Sequence, residues 1–165
     1  MQRRGFLNLA MTAAAVMALS GCGFRLRGFD TPGLAVDELA LAGADSELAR
    51  LVAERLTSVG TRVHDGASQI LNLGSEAFGE RQLSVLDSGP QELEMTLSVP
   101  FSVQRRSDGA YRLPERRLEV STRFTVSDDN LLAQDELREE ARQELREEAL
   151  RRLLDSLRTL DDVQS

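Results

Sequence analysis

An α+β domain is predicted: a two-layer sandwich in which a four-stranded, mainly antiparallel sheet carries two helices on one face, in the order β-α-β-β-β-α. Three observations lead there. Leu93, Met95, Leu97, Val99, Phe101 and Val103 alternate without a break against Glu92, Glu94, Thr96, Ser98 and Ser102. Such alternation marks a strand with one buried and one polar face. Asp108-Gly109 is a two-residue hairpin signal, and it requires paired positions to sum to 217. That sets Val99 opposite Leu118, Leu97 opposite Val120, Met95 opposite Thr122 and Leu93 opposite Phe124. The apolar positions of both strands then share one face, which a one-residue slip would destroy. Finally, apolar residues recur at helical spacing both before and after the strands.

The elements follow in order. A short strand is expected over about 34–41, containing Val36, Leu39 and Leu41. Asp45 or Ser46 can cap the next helix, and Glu47 sits where the helix dipole favours a negative charge. Leu48, Leu51, Val52, Leu56 and Val59 form its apolar stripe, and Gly60 supplies its stop. Leu71, Leu73, Ala77, Leu83 and Val85 share one parity, with an irregularity between Gly74 and Gly79. Asp87-Ser88-Gly89-Pro90 is a turn into the long hairpin. The last helix is expected from about 131 to 160, with Leu137, Ala141, Leu145, Ala149, Leu153 and Leu157 every fourth residue. Its second half adds Leu150, Leu154 and Leu160 and packs on the sheet. Its first half, with rows of glutamate and arginine, is more solvated or faces a partner.

The chain's start has a different character. Arg3 and Arg4 precede a mostly apolar run from Phe6 to Leu19, too short to span a bilayer comfortably. Leu19-Ser20-Gly21-Cys22 resembles the bacterial lipobox, whose cysteine is acylated after the signal is removed. Residues 1–21 then form a signal peptide, 22–33 an acylated tether and 34–165 the folded domain. Arg3-Arg4-Gly5-Phe6-Leu7 fits general secretion or a partial twin-arginine signal equally. Glycine at position 23, where inner-membrane retention commonly uses aspartate, favours an outer-membrane, lipid-anchored location at the periplasmic face.

Composition excludes much chemistry. All 20 basic residues are arginine, and His64 and Cys22 are the only histidine and cysteine. No P-loop, Schiff base, disulfide framework or ordinary zinc site can be built, so neither an enzyme nor a metal or other cofactor is expected. The formal charge is -7, and residues 22–165, with 18 arginines against 27 acids, carry -9. That balance argues against nucleic acid.

Cys22-Gly23-Phe24-Arg25-Leu26-Arg27-Gly28 resembles the mature N-terminus of the LptE lipoproteins. The strand at "AVDELALAG", the helix ending in "LTSVG", the three strands and the long last helix are similar in outline. The resemblance implies an outer-membrane lipoprotein that complexes with the β-barrel LptD. It would act there as plug and assembly factor for lipopolysaccharide transport to the outer leaflet, and would bind lipopolysaccharide. A lipid-anchored auxiliary subunit of another envelope lipid transporter is the competing expectation. The family's basic lipopolysaccharide-binding positions align near Asp87 and Glu139, which are acidic.

Candidate binding residues come instead from the hairpin tip. Residues 105–117 contain Arg105, Arg106, Arg112, Arg116 and Arg117 against Asp108 and Glu115, a local charge of +3. The 217 register sets Phe101 opposite Arg116, Val103 opposite Pro114 and Arg105 opposite Arg112. An apolar strip rimmed by guanidiniums suits a molecule that sets acyl chains beside phosphates. Contact with the partner barrel, or solubility alone, would explain the same charge. Arg138 and Arg142 are secondary candidates.

Overall fold

The computed structural model describes residues 36–83, 89–127 and 131–162. The signal peptide, Cys22, the tether, Val85 and the first half of the turn at 87–90 lie outside them. β1 (Glu38–Gly43) starts the domain and runs two residues past the expected strand. At its end Gly43 has φ +115°, and a Cβ there would sit 1.9 Å from the carbonyl oxygen of Leu73. Only glycine lets the two backbones approach this closely. Ser46, rather than Asp45, caps α1 (Glu47–Ser58), its hydroxyl accepting from the Ala49 N–H. Leu48, Val52 and Leu56 are buried, and Gly60, at φ +95°, ends the turn as expected.

Among the described residues, six strands replace the four expected. β2 (Arg62–Val63) is only two residues long. β3 (Gln69–Leu73) and β4 (Ala77–Gln82) divide what the sequence presents as one strand. β5 (Gln91–Arg105) and β6 (Tyr111–Val126) form the long hairpin. The order is β2-β1-β3-β5-β4, with β6 on the other edge of β5. β1 runs parallel to both β2 and β3, so the sheet is mixed. The helix between β1 and β2 is the crossover that a parallel pair requires.

β3 and β4 lie end to end along the same edge of β5. β3 pairs Leu73 with Phe101, whereas β4 pairs Ala77 with Ser98. Four positions pass on one strand against three on the other, so 74–76 holds one extra residue. A one-residue insertion exchanges faces. This corrects the single parity expected from Leu71 to Val85. Ala77 pairs on the Ser98 side, while Phe78 pairs with Leu97 on the apolar side. Gly74 donates its N–H to the Pro100 carbonyl at 2.8 Å. A Cβ at this position would lie 2.4 Å from the Pro100 ring.

The body of the hairpin keeps the expected register from Leu93–Phe124 through Phe101–Arg116. One continuous core lies between its apolar face and both helices, running from Leu39, Leu48 and Val52 through Leu71, Leu97 and Val99 to Leu145, Leu153 and Leu157. α2 (Leu131–Asp162) is 32 residues, about 48 Å at 1.5 Å per residue. Its burial begins at Ala141, and Leu132 is 78% exposed. A stripe repeating every fourth residue slants around the helix, so α2 crosses the sheet obliquely.

The opposite sheet face is polar. Glu94 stands between Arg81 and Arg123, and the Asn72 amide donates to the Ser102 hydroxyl at 3.3 Å. The hydrogen bond from Arg81 holds the Glu94 carboxyl below its ordinary value. The Ser68 N–H lowers Glu38, with His64 adding to the effect, and Arg151 and Arg152 lower Glu148.

Two outcomes are expected. Gly74→Ala lowers stability by about 1–3 kcal/mol in urea unfolding, the usual cost of overpacking. Gly43→Ala gives the larger loss, because its clash is with backbone. The three depressed carboxylates stabilise the fold above their unfolded value, and that contribution disappears as pH falls through the folded values. Tm is therefore expected to decline on acidification below about pH 4.5, and Glu94→Gln to remove part of that decline.

Candidate functional site

The hairpin tip departs from the register of its body. The Arg105 N–H donates to the Ala110 carbonyl at 2.8 Å, and the Gly109 N–H to the Arg105 carbonyl at 2.9 Å. The loop is therefore Arg106–Gly109, four residues long, and not a two-residue turn at Asp108-Gly109. Gly109, at φ +68°, takes the left-handed position. Asp108 organises the loop, accepting from the Ala110 N–H at 3.1 Å and the Arg105 guanidinium at 2.9 Å.

Two irregularities then bring the strands back into the 217 register. Gln104 pairs with Tyr111, Val103 with Leu113 and Phe101 with Arg116. Two extra residues on β6 offset the two extra residues of the loop. Pro114, which has no N–H to give a ladder, falls within the irregular stretch. The expected pairs Val103–Pro114 and Arg105–Arg112 are thereby corrected.

The irregular stretch changes which side chains meet. Arg105, Arg112 and Arg116 line one surface hollow of about 440 Å³ together with Tyr111, Leu113 and Pro114. Thr159 and Leu160, at the end of α2, close its side. Among the described residues, neither Arg112 nor Arg116 has an ion-pair partner. Tyr111, 63% exposed, is the residue that sequence reasoning passed over. It is the chain's single tyrosine and stands next to Arg112.

The other expected site residues go elsewhere. Phe101 is buried in the core, 4% exposed. Arg106 turns towards the start of β3, its Nε donating to the Ala67 carbonyl at 2.7 Å. Arg117 lies on the polar face, 3.4 Å from the Ser98 hydroxyl.

The secondary candidates on α2 serve a second cluster. Arg138 donates to both Glu80 oxygens at 3.1 and 3.4 Å. Arg142 pairs with Glu139 and lies over the Phe78 ring. Arg146 is the most enclosed of the three. It donates to Glu76 at 2.9 Å, with side chains 15% and 9% exposed, and stands 5.2 Å from the Phe78 centroid. The other Glu76 oxygen accepts from the Leu48 N–H at 2.7 Å. Glu76 thus satisfies an open N–H in the first turn of α1 and a guanidinium of α2 together.

Among the described residues, no group of three or more His, Cys, Asp or Glu side chains could hold a metal. No described helix is long and apolar enough to cross a membrane. The tip hollow offers hydrogen-bond donors and apolar wall, which is the chemistry of an anion- or amphiphile-binding surface.

The same architecture occurs in bacterial lipoproteins. A minor lipoprotein from Acinetobacter baumannii matches with a TM-score of 0.62 at 13% identity, over 74% of this chain and 91% of that one. Rare lipoprotein B from Shewanella oneidensis matches at 0.61 and 23%, over 75% and 96%. Lipoprotein B from Nitrosomonas europaea, an uncharacterised protein, matches at 0.63 and 16%, over 80% and 88%. At these identities the likeness shows the fold alone, a small α+β domain. No curated protein matches the sequence. The family model for LptE, lipopolysaccharide-assembly, matches residues 26–157, and the chain belongs to that family.

The Glu76 cluster yields a stability test. Glu76→Ala strands Arg146 and the Leu48 N–H in a nearly closed site, with an expected loss of about 2–4 kcal/mol. Glu76→Gln keeps an acceptor for the N–H and is expected to lose about half as much. Urea unfolding of both, with the Glu76→Ala/Arg146→Ala cycle, separates the two contributions.

Proposed function

We propose that the protein is an outer-membrane lipoprotein anchored through acylated Cys22. In this reading it complexes with an LptD-like β-barrel as plug and assembly factor, and it binds lipopolysaccharide at the arginine-rimmed hollow. The observation that carries the reading is the LptE family match over residues 26–157. The chemistry of the tip supports the ligand. Arg105, Arg112 and Arg116 present planar donor forks suited to phosphate. Leu113, Pro114 and Leu160 set apolar surface beside them, as an acylated, phosphorylated saccharide requires. Arg106 and Arg117, which turn to the Ala67 carbonyl and to the polar face, take no part in the hollow.

The triple variant Arg105→Gln/Arg112→Gln/Arg116→Gln tests the ligand site. Hydrogen bonds to charged groups contribute about 1.5–3 kcal/mol each before solvent weakens them. Lipopolysaccharide binding is expected to fall by roughly tenfold or more. Binding that stays at the starting level removes the hollow from the reading. Affinity capture from detergent-solubilised outer membrane tests the partner, and is expected to recover a large β-barrel. Recovery of a permease and ATPase instead would favour a different lipid transporter.

A further inference from the structure

Arg106 lies outside the hollow, yet the contacts around it decide how firmly the hollow is held. On the β6 side the tip has little support. Two irregularities interrupt the ladder between Phe101 and Gln104, and Pro114 has no N–H to offer it. The bonds from Arg105 to Ala110 and from Gly109 to Arg105 tie the loop only to its own hairpin.

The support comes from the other side. β3 starts at Gln69, paired with Arg105, but the pairing continues one step further. The Arg106 N–H donates to the Ser68 carbonyl at 2.8 Å, and the Arg106 Nε donates to the Ala67 carbonyl at 2.7 Å. Ala67 is fully buried, so Arg106 holds on to a fixed part of the backbone. That segment is fixed in turn to β1. The His64 N–H donates to the Leu39 carbonyl at 3.2 Å, and the Ser68 N–H to the Glu38 carboxylate at 3.2 Å. One series of hydrogen bonds therefore runs from β1 through residues 64–68 to the tip. Arg105, the neighbour of Arg106, carries one guanidinium of the hollow, and Gln104 pairs with Tyr111, which precedes Arg112.

We propose that Arg106 is a positioning residue: it ties the tip to residues 67 and 68 and so sets Arg105 and Arg112 in place before the ligand's phosphate arrives. This rests on the ligand reading given for the hollow. The gain is preorganisation, since a tip already held in its bound arrangement loses less freedom on binding. The tie, and not the positive charge of Arg106, is what the ligand needs.

A disulfide separates the two. The register that pairs Gln69 with Arg105 sets Ser68 opposite Arg106. Opposed residues of antiparallel strands stand about 4.5–5.5 Å apart at Cα, within disulfide reach. Both residues are exposed. Ser68→Cys/Arg106→Cys in the full chain has no arginine at 106 in either redox form, and only the oxidised form is tied. Reduced, it is expected to bind lipopolysaccharide about fivefold more weakly than the unsubstituted chain, the scale of one or two side chains left to be ordered on binding. Oxidised, it is expected to return to within about twofold. Arg106→Cys alone, oxidised in the same way, controls for Cys22. Tyr111 is the single tyrosine and there is no tryptophan, so tyrosine fluorescence anisotropy without ligand reads the order of the tip, and is expected to rise on oxidation. Reduced-form binding equal to that of the unsubstituted chain overturns the proposal. So does a loss that oxidation leaves unrepaired, which makes Arg106 a source of charge alone. The ligand reading fails separately, when Arg105→Gln/Arg112→Gln/Arg116→Gln keeps its binding. An anisotropy equal in the two redox forms overturns the positioning role whatever the ligand does.

Discussion

One extra residue between Leu73 and Ala77 sets the position of both helices. β3 and β4 run along the same edge of β5, and an uninterrupted strand would keep Ala77 on the helix side and send Phe78 to the polar face. The insertion reverses this. Phe78 turns inward beneath Arg142 and Arg146, and Glu76 is left in the notch where it reaches the first turn of α1 and the middle of α2. Gly74 makes the notch sterically possible, since any side chain there would enter the Pro100 ring. The consequence extends to the far end of α2. A helix fixed at Arg146 and lying obliquely on the sheet places Thr159 and Leu160 beside the hairpin tip, where they wall the hollow.

This dependence explains what could be read in the sequence. The hairpin body was legible because its alternation is long and both strands must bury the same face, so the register has only one solution. The tip was not. Asp108-Gly109 reads as a two-residue turn, yet Asp108 spends its carboxylate on Ala110 and Arg105 and widens the loop to four residues. Two bulges on β6 cancel the error before Phe101, and side-chain periodicity carries no trace of such a cancellation. The break between β3 and β4 was visible only as an irregularity, because Gly74 marks a bulge without saying which face follows. Arg146 looked like one member of a solvated row. Its partner Glu76 lies 70 positions away, beyond the reach of any local pattern.

The all-arginine composition finds a structural use in these contacts. Arg138 spans both oxygens of Glu80, Arg146 joins Glu76 to the Phe78 ring, and Arg152 crosses to a sheet carbonyl. Each uses a flat, multi-donor head, and Arg146 hydrogen-bonds and stacks at once, which an ammonium point charge does not provide. Most of the positive charge on α2 is therefore committed within the domain. It does not mark a ligand surface, although a row of arginines at helical spacing suggests one.

An anionic ligand for a domain of charge -9 looks unfavourable until distance is considered. At physiological ionic strength the Debye length is about 8 Å, so an approaching phosphate responds to its immediate surroundings and hardly to the sum. Over most of α2 those surroundings are alternating acids and arginines already paired. At the tip they are Arg112 and Arg116, which have no ion-pair partner among the described residues, and Arg105, which is shared with Asp108. The acidic remainder then acts as selection. On the proposed reading, phosphate would gain contact energy at one place and meet compensated or repelling charge elsewhere, so an amphiphile with phosphates at one end would be oriented as well as bound.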